Sequence, residues 1–387
     1  MSDVLIAGGG FAGGLLACRL SQLRPELTLR LVEAESHLGG HHTAAFHSDE
    51  LTPAQREWVR PLVAHAWEGY EVRFPSFART VSGGYQVVTA AHFHKQAAAR
   101  LRGRLVLGVA VLELGPGTAL LEDDDELLAG CVIDARGLPR PSGLPVGWRA
   151  SLAHELELTR NHRLEQPILI DATVGQEGGL RFVSALPLGR RRLRLEDVRY
   201  LGDAELPRLP MRRAIEAYAD ELGLSVKGLR REEEAVLPIP LGGRVEQLPL
   251  MAPAGVAAFG ARAGLFHPTT GERLAFAVHA ADALAERRAL DGGSVAAWSA
   301  RYAREVWQRG EFARFFNRLM LTAAEPGQGW RVLARLYSMP DAVVTRFHAG
   351  RSTRLDKIRL LSGRPPVSLR RAARCFSEPP PTAVNGQ

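Results

Sequence analysis

Three glycines near the start of the chain stand at the spacing G-x-G-x-x-G. They are Gly8, Gly10 and Gly13, and they follow the apolar residues 4–7. Between a strand and a helix, this spacing allows a tight turn, close approach of the backbone to a pyrophosphate, and close helix packing. Glu33 follows about 20 residues later, where a carboxylate accepts hydrogen bonds from a ribose. The segment therefore predicts a βαβ unit that binds a dinucleotide at a helix N-terminus.

The residues after Glu33 indicate which dinucleotide is bound. The acid is followed by a second glycine pair, Gly39 and Gly40. A pair at this place resembles the glutathione-reductase-like FAD proteins, in which the chain passes close to the cofactor after the second strand. The resemblance implies FAD, and an ordinary surface turn is the alternative interpretation of the two glycines.

Composition limits the remaining possibilities. A chain of 387 residues is too long to form only one small core, and a content of 46% hydrophobic and 24% charged residues is typical of a globular protein. Three distant cysteines, Cys18, Cys131 and Cys375, predict neither a disulfide framework nor a metal cluster, and they favour a reducing cytoplasm. The net charge of +7 permits anionic partners. Nucleic acid is not expected among them, because no nucleic-acid-binding module appears.

Further apolar segments predict the rest of the cofactor sheet. Residues 105–114 are typical of a buried strand leading into a hairpin, and residues 122–126 of a solvated turn. Residues 128–134 then predict a strand that ends on the pattern Asp134-x-x-Gly137. In FAD proteins such a hairpin and strand complete the nucleotide-binding sheet, so the cofactor domain is predicted to be discontinuous.

The last piece of the cofactor domain is predicted at residues 256–271, followed by an apolar helix over residues 275–285. The start of that helix has free N–H groups that can meet the flavin or the phosphates. Earlier in the chain, residues 168–188 and 193–201 alternate apolar and polar side chains as strands do. They predict an antiparallel sheet in a substrate domain inserted into the cofactor domain.

The peptide from Gly264 to Gly271, G-L-F-H-P-T-T-G, resembles the bacterial lycopene cyclases of carotenoid biosynthesis. Other peptides agree with that family in matching order, at residues 72–75, 170–174, 181–183, 186–188, 195–197, 237–239 and 361–366. The resemblance implies an enzyme that binds FAD and requires it reduced by NADPH or NADH. Such an enzyme closes the acyclic ends of lycopene into β-ionone rings without net redox change, giving gamma-carotene and then beta-carotene.

These patterns together predict an α/β fold with an α+β insert. Its parts are a glutathione-reductase-like FAD-binding Rossmann domain, an inserted antiparallel-sheet substrate domain and a helical C-terminal region. The predicted boundaries are residues 1–60, 85–150 and 250–297 for the FAD-binding domain, 61–84 and 151–249 for the substrate domain, 298–365 for a helical membrane-facing region, and 366–387 for a disordered tail.

The glycine pattern and the resemblance assign the cofactor contacts. The predicted contacts are Gly8, Gly10, Gly13, Glu33, Ala110, Asp134, Gly137, Gly264, Pro268, Thr270 and Gly271. One departure stands out, because flavin hydroxylases usually carry Gly-Asp before the last cofactor helix. Here Gly260 is followed by Ala261 and Arg262. This difference counts against a hydroxylase and leaves the contact to the ribityl chain unassigned.

Glu196 is the predicted catalytic acid. Strand alternation places Arg194 and Glu196 on one face, opposite Leu195. By itself this pattern is typical of a solvated strand face. The resemblance implies that the family's essential carboxylate lies in this Leu-Glu-Asp motif, with Asp197 as a weaker candidate. We expect burial beside an apolar polyene to raise the pKa of Glu196, so that it holds a proton at neutral pH.

The histidines carry weaker signals. His267 precedes Pro268 and is predicted to be structural. The group His37, His41, His42 and His47 has no carboxylate or cysteine at useful ligand spacing. No metal site is therefore predicted.

The implied substrates, lycopene and related acyclic carotenoids, are long hydrocarbons that stay in the bilayer. A basic and aromatic helical segment is predicted to rest on an anionic membrane surface, through Arg301, Arg304, Trp307, Arg309, Phe312, Arg314, Phe315, Phe316 and Arg318. A packed helix with a solvated basic face is the alternative. The predicted location is cytoplasmic and peripheral on the inner face of the cell membrane, without a membrane-crossing segment.

Two other functions remain open at this point. A flavin-dependent monooxygenase or a prenyl or carotenoid reductase shares the predicted fold but consumes NAD(P)H in every turnover. A flavin-binding protein without chemistry is a third possibility, which the Leu-Glu-Asp motif disfavours. The stoichiometry of the reductant distinguishes the first two from a cyclase.

Overall fold

The computed structural model describes residues 1–137, 143–176, 179–248, 252–363 and 366–379. Its strands are β1 (Ser2–Ala7), β2 (Leu29–Glu33), β3 (Ala44–His47), β4 (His65–Phe74), β5 (Phe77–Val88), β6 (Leu105–Leu107), β7 (Val111–Leu114), β8 (Thr118–Leu121), β9 (Glu126–Asp134), β10 (Val146–Leu158), β11 (Ile168–Asp171), β12 (Leu180–Gly189), β13 (Arg192–Leu201), β14 (Val226–Pro240) and β15 (Ala257–Ala258).

Eleven α-helices lie in the described part of the chain. They are α1 (Phe11–Leu23), α2 (Pro53–Val59), α3 (Ala90–Arg100), α4 (Arg208–Glu221), α5 (Leu274–Ala285), α6 (Gly292–Arg309), α7 (Glu311–Arg318), α8 (Trp330–Tyr337), α9 (Asp341–His348), α10 (Arg354–Leu361) and α11 (Leu369–Arg374). Short 3₁₀ helices cover Ser48–Glu50, Arg60–Leu62, Val245–Gln247 and Gly260–Ala263, and a π-helical turn covers Leu319–Ala323.

The first sheet carries the glycine motif. Its strand order is β6-β2-β1-β9-β8-β7, and β15 pairs with β9. Strands β6, β2, β1, β9 and β15 are mutually parallel, whereas β7 and β8 form an antiparallel hairpin on β9. Residues 4–7 of β1 are all buried, as expected for a parallel strand with both faces covered. The apolar run therefore becomes the centre of the sheet.

The second sheet has eight strands in the order β14-β10-β13-β12-β11-β4-β5-β3. All its pairings are antiparallel except that of β11 with β4. Both faces are covered. Helices α7 to α9 pack on one face, and α4 packs on the other. Because β3 belongs to this sheet, the chain enters it within the predicted FAD-binding segment 1–60.

The predicted architecture of a nucleotide-binding parallel sheet, an inserted and mainly antiparallel sheet, and a helical C-terminal region is confirmed. Helices α1, α5 and α6 pack on the parallel sheet in one apolar core. One detail differs from the predictions. Residues 105–114 form two strands rather than one, because β6 pairs with β2 while β7 turns into the hairpin. No helix in the described residues is both long and apolar enough to span a bilayer.

The prediction of a disordered tail is wrong for residues 366–379. Ser368 caps α11 by accepting a hydrogen bond from the backbone N–H of Arg371. Cys375 is buried, and its carbonyl accepts a 2.6 Å hydrogen bond from Nε of Arg318. These contacts order a proline-flanked segment that composition alone marked as unfolded. Residues 380–387 lie outside the described residues.

The predicted membrane-facing segment is largely core. Arg301, Arg304 and Arg309 are exposed, and Phe312 is half-buried. The other five predicted contacts are buried: Trp307, Arg314, Phe315, Phe316 and Arg318. Arg314 stacks over the Trp307 ring at 4.6 Å and donates to the Trp307 carbonyl at 2.6 Å. These arginines therefore satisfy backbone carbonyls inside the protein, and the aromatic part of the prediction is wrong.

Candidate functional site

One cavity of about 580 Å³ lies between the two sheets and is lined by residues from both. Its first end is the glycine turn after β1, with Gly8 and Gly10 in the wall. Its other end is apolar and aromatic, and contains the carboxylates of Glu196 and Glu272. This end is also lined by Tyr85, Leu169, Ile170, Phe182, Leu186, Tyr200, Leu237 and Tyr337, and by the charged residues Arg149, Arg194, Glu233 and Glu234. A ligand at the glycine end and an apolar ligand at the other end therefore meet in one space.

The glycine turn has the geometry that the sequence predicts. Gly8 has φ +101°, and a Cβ there would lie 2.7 Å from the backbone N of Arg136. Gly10 is the N-cap of α1 and has no side-chain cap, so the first N–H groups of the helix are free for a ligand. A Cβ at Gly10 would have no protein atom within 4 Å. A Cβ at Gly13 would overlap the carbonyl oxygen of Gly8.

The next strands supply the other predicted contacts at this end. Glu33 lines the cavity and accepts hydrogen bonds from the N–H groups of Gly9 at 2.5 Å and Glu35 at 3.0 Å. Ala110 and Gly137 also line the cavity. The turn, the uncapped helix and the positioned carboxylate fit a dinucleotide.

The N-terminus of α5 closes the middle of the cavity. Thr270 and Gly271, both predicted cofactor contacts, line it, followed by Glu272 and Arg273. Among the described residues, the Arg273 guanidinium forms no hydrogen bond or ion pair. Burial lowers the pKa of Arg273. An unpaired cation in a cavity wall is costly unless a ligand pairs with it, which marks Arg273 as a further candidate contact for a cofactor.

Several predicted contacts lie outside this cavity wall. Gly13 packs α1 against the turn. Asp134 is fully buried and pairs with Arg136 at 2.9 Å and Arg262 at 3.2 Å. Gly264 ends the 3₁₀ helix before α5 with φ +71°. These three residues shape the backbone around the site.

Pro268 and its neighbour His267 are also structural. The Pro268 carbonyl accepts a 3.0 Å hydrogen bond from the side chain of Asn317. His267 Nε2 lies 3.0 Å from the Phe347 carbonyl, and its Nδ1 accepts from the N–H of Thr269 at 3.2 Å. Burial lowers the pKa of His267 to about 4. With both ring nitrogens engaged by backbone groups, His267 holds the turn in place.

Glu196 faces the cavity, and two arginines hold it. Arg194 donates to one carboxylate oxygen at 2.9 Å, and Arg149 on β10 donates to the other at 3.3 Å. Burial disfavours the ionised form, but the two guanidinium groups outweigh burial and lower the pKa of Glu196 to about 2. The expectation of a raised pKa is therefore wrong, because the same strand face that presents Glu196 also presents Arg194.

Asp197 points to the opposite side of β13. It is fully buried and pairs with Arg181 at 2.7 Å and with Arg199 at 2.8 Å. It does not belong to the cavity wall. The alternation of a strand separates it from Glu196.

Glu272 is the functional candidate that sequence reasoning missed. Burial raises the pKa of Glu272 to about 7, with Glu50 acting in the same direction and His47 opposing it. Its only side-chain hydrogen bond in the described structure comes from the hydroxyl of Thr270 at 3.3 Å. The sequence does contain a signal for Glu272. This residue directly follows the peptide 264–271, and a carboxylate beside a ligand-binding turn is a candidate functional group.

Two buried histidines lie beside Glu272. His47, His348 and Glu272 each offer one polar atom, and these atoms lie within 4.8 Å of one another. His348 belongs to the cavity wall, and His47 ends β3 behind it. The grouping brings together residues more than 200 positions apart, which no local motif predicts.

The fold first defines a structural class, that of proteins with a Rossmann-type domain and an inserted, mainly antiparallel sheet. A flavin-dependent halogenase from Brevundimonas sp. BAL3 has this fold, with a TM-score of 0.59 and 13% identity, over 98% of this chain and 97% of that chain. At this identity the likeness concerns the fold alone.

The family follows from closer relatives. Residues 3–374 match the family described as lycopene cyclase protein, and the chain belongs to this family. The lycopene beta-cyclase of Pseudescherichia vulneris is 42% identical, over 97% of both chains. The lycopene beta-cyclase of Pantoea ananas is 39% identical, over 94% of this chain and 95% of the relative. The resemblance read from the peptide 264–271 is thus confirmed.

Proposed function

We propose that this chain closes the acyclic ends of lycopene and related acyclic carotenoids into β-ionone rings, forming gamma-carotene and then beta-carotene. The observation that carries this proposal is one cavity that joins the glycine turn to apolar walls and partly buried carboxylates. The names of the two bacterial relatives support the same reaction. The chemistry is acid-initiated and has no net oxidation or reduction.

Ring closure needs an acid, a dry cavity and a group that stabilises a cation. A proton adds to the terminal alkene, the neighbouring double bond attacks the resulting cation, and a second proton leaves. The apolar walls exclude water, which would otherwise trap the cation as an alcohol. Glu196 is ionised at neutral pH, so its charge and the nearby tyrosine rings stabilise the cation. Its carboxylate then accepts the departing proton.

FAD fits the glycine end of the cavity. The turn at Gly8 and Gly10 would hold the pyrophosphate, Glu33 the ribose, and the start of α5 with Arg273 the polar edge of the flavin. When bound and reduced by NADPH or NADH, the flavin supplies an electron-rich surface beside the substrate. The protein residues orient it and keep water away.

Reductant stoichiometry tests the proposed function. We expect the protein with FAD bound to convert lycopene anaerobically after one reduction by dithionite, through many turnovers, without further reductant. The measurement is chromatography of the pigments alongside the absorbance of the flavin. Consumption of one NAD(P)H per product, or a hydroxylated or hydrogenated pigment, would instead identify a monooxygenase or a reductase.

We further propose that α10 and α11 contact the membrane that contains the substrate. Exposed apolar side chains concentrate there: Leu355, Ile358, Leu361, Leu369 and Phe376 are 47–74% exposed. Exposed arginines lie among them, at Arg354, Arg359, Arg370 and Arg374. Apolar side chains next to cations favour an anionic lipid surface. A peripheral site on the inner face of the cell membrane agrees with this composition.

Vesicle sedimentation tests the membrane surface. We expect the protein to sediment with vesicles containing anionic lipid at low salt, and to be partly released at high salt because salt screens the arginines. The double variant Leu355→Asp with Ile358→Asp should remain largely in the supernatant.

The control for this variant is Leu209→Asp, at an equally exposed leucine of α4. It should sediment as the unchanged protein does. Equal recovery of the unchanged protein in the supernatant, with and without vesicles, would reject the membrane proposal.

A further inference from the structure

Two buried histidines near the substrate end of the cavity each have one ring nitrogen without a partner in the described structure. They are Nε2 of His47 and Nδ1 of His348. The other nitrogens are engaged, since His47 Nδ1 lies 2.8 Å from Glu50 and His348 Nε2 lies 2.9 Å from the Tyr337 hydroxyl. An unpaired buried nitrogen is costly, so each is expected to meet a hydrogen-bonding group.

Glu272 lies beside both histidines. One of its carboxylate oxygens and one ring nitrogen of each histidine lie within 4.8 Å of one another, and the described structure has no direct hydrogen bond between Glu272 and either histidine. A single group that makes two hydrogen bonds of about 2.8 Å, one to each of two of these atoms, can bridge this separation. Because Glu272 also lines the main cavity, the cluster is in contact with the space for the substrate.

The cluster also reaches a second cavity. This cavity has a volume of about 380 Å³ and is lined by Glu50, with residues of α5, α6 and the segment after α9. Glu50 accepts a hydrogen bond from the N–H of His47, besides contacting its ring. His47 therefore stands between Glu50, at the second cavity, and Glu272, at the main cavity.

We propose that Glu272 delivers the proton that starts ring closure, and that His47 and Glu50 return a proton to it from the second cavity. This inference rests on the proposed cyclisation. The O–H bond of Glu272 breaks as a C–H bond forms at the terminal alkene. The neighbouring double bond then forms the ring C–C bond, and a ring C–H bond breaks as its proton passes to Glu196. One proton enters and one leaves, so no oxidant or reductant is consumed.

The environments of the two carboxyl groups separate their roles. Arg194 and Arg149 keep Glu196 ionised, whereas burial raises the pKa of Glu272 to about 7. Burial and His47 hold the pKa of His348 well below its usual value. Burial opposes a charge on His47, but Glu50 outweighs burial and raises its pKa. His47 is thus the histidine that can carry a proton towards Glu272.

Groups on several elements face Glu272. The charged or titratable ones are His47, Glu50, Arg149 and His348, and the phenols are Tyr70, Tyr85, Tyr200 and Tyr337. Burial raises the pKa of each phenol, so the tyrosines remain neutral near pH 7. Glu272 must be protonated to act as the acid. Activity should therefore be full below about pH 7 and fall as the pH rises through that value.

The test uses the protein with FAD bound, reduced beforehand by dithionite and supplied anaerobically with lycopene. We expect Glu272→Gln to lower the cyclisation rate by roughly 10²–10⁴-fold and to remove the pH dependence near 7. Glu272→Asp should retain part of the rate, because it keeps a carboxyl group. Glu286→Gln, at an exposed acid just beyond α5, should behave as the unchanged protein.

Infrared spectroscopy gives a readout independent of activity. The C=O stretch of a buried protonated carboxyl should weaken as the pH rises through about 7, remain in Glu196→Gln and be absent in Glu272→Gln. Glu50→Gln should leave the first turnover unchanged but slow later ones, because it interrupts only the return of the proton.

The outcomes separate this inference from the proposed function. If the unchanged protein forms no cyclic carotenoid, the proposed function fails. If the unchanged protein does form cyclic carotenoid, but Glu272→Gln keeps both its cyclisation rate and its infrared band, only the assignment of Glu272 is overturned. Stoichiometric metal in the purified protein, lost in Glu272→Gln, would also overturn it, because a metal-bound carboxylate holds no proton. An equally slowed first turnover in Glu50→Gln would reject the return path.

Discussion

Replacing Glu196 by Gln should lower the cyclisation rate by roughly 10²–10⁴-fold while the protein stays folded with flavin bound. The ionised carboxylate provides the negative charge beside the developing cation and accepts the last proton, and an amide does neither. The measurement is the rate of cyclic carotenoid formation by reduced protein, together with flavin content and thermal unfolding.

The two arginines that hold Glu196 are affected differently by this change. Arg194 still pairs with Glu233 at 3.2 Å, whereas Arg149 keeps a 3.4 Å hydrogen bond to the Ser151 hydroxyl but no ion pair in the described structure. The cost in the free energy of unfolding should therefore not exceed the about 3–5 kcal/mol of one abandoned buried charge. The matched control is Glu155→Gln on β10, where the acid pairs with Arg192 and Arg230 at 3.8 and 3.7 Å, outside the cavity wall. Most of the activity surviving in Glu196→Gln would contradict the proposed role.

Alanine at two glycines of the turn should separate folding from cofactor binding. At Gly13 the new methyl group overlaps the backbone oxygen of Gly8, so the backbone of the turn must shift. We expect a loss of about 1–3 kcal/mol in the free energy of unfolding, and no bound flavin. At Gly10 the backbone angle φ is −58° and no protein atom lies within 4 Å. We expect Gly10→Ala to melt as the unchanged protein does, but to bind flavin at least about tenfold more weakly.

Flavin absorbance after purification and thermal melting curves measure both effects. Gly293→Ala is the control, because its Cβ in the first turn of α6 makes only an ordinary contact of 3.6 Å with Asp291. It should bind flavin normally and be slightly stabilised, since alanine favours a helix. Full flavin affinity in Gly10→Ala would show that the phosphates do not pass over this turn.

Local patterns predicted the parallel sheet and the start of the cofactor site. The G-x-G-x-x-G spacing requires a turn that only glycine adopts without overlap, and the structure has that turn at Gly8 and Gly13. The alternation along β13 correctly placed Arg194 and Glu196 on one face. In both cases the determining interactions lie within a few residues, so the sequence carries them directly.

The errors concern burial and pairing. Phe315 and Phe316 were predicted to face the membrane, yet they fill the core between the second sheet and the C-terminal helices. The tail was predicted to be disordered because it is rich in proline, yet the Cys375 carbonyl accepts a hydrogen bond from Arg318. Local composition cannot reveal which distant surface covers a segment, because that depends on the packing of elements far apart in the chain.

The sequence by itself determined the glycine turn, the βαβ unit around it and the family. Only the tertiary structure decided which carboxyl group can hold a proton. Arg149 arrives beside Glu196 from a neighbouring strand and keeps it charged, while burial and the charge of Glu50 raise the pKa of Glu272. A carboxyl pKa depends on burial and on charges within a few ångströms, and folding alone sets those distances.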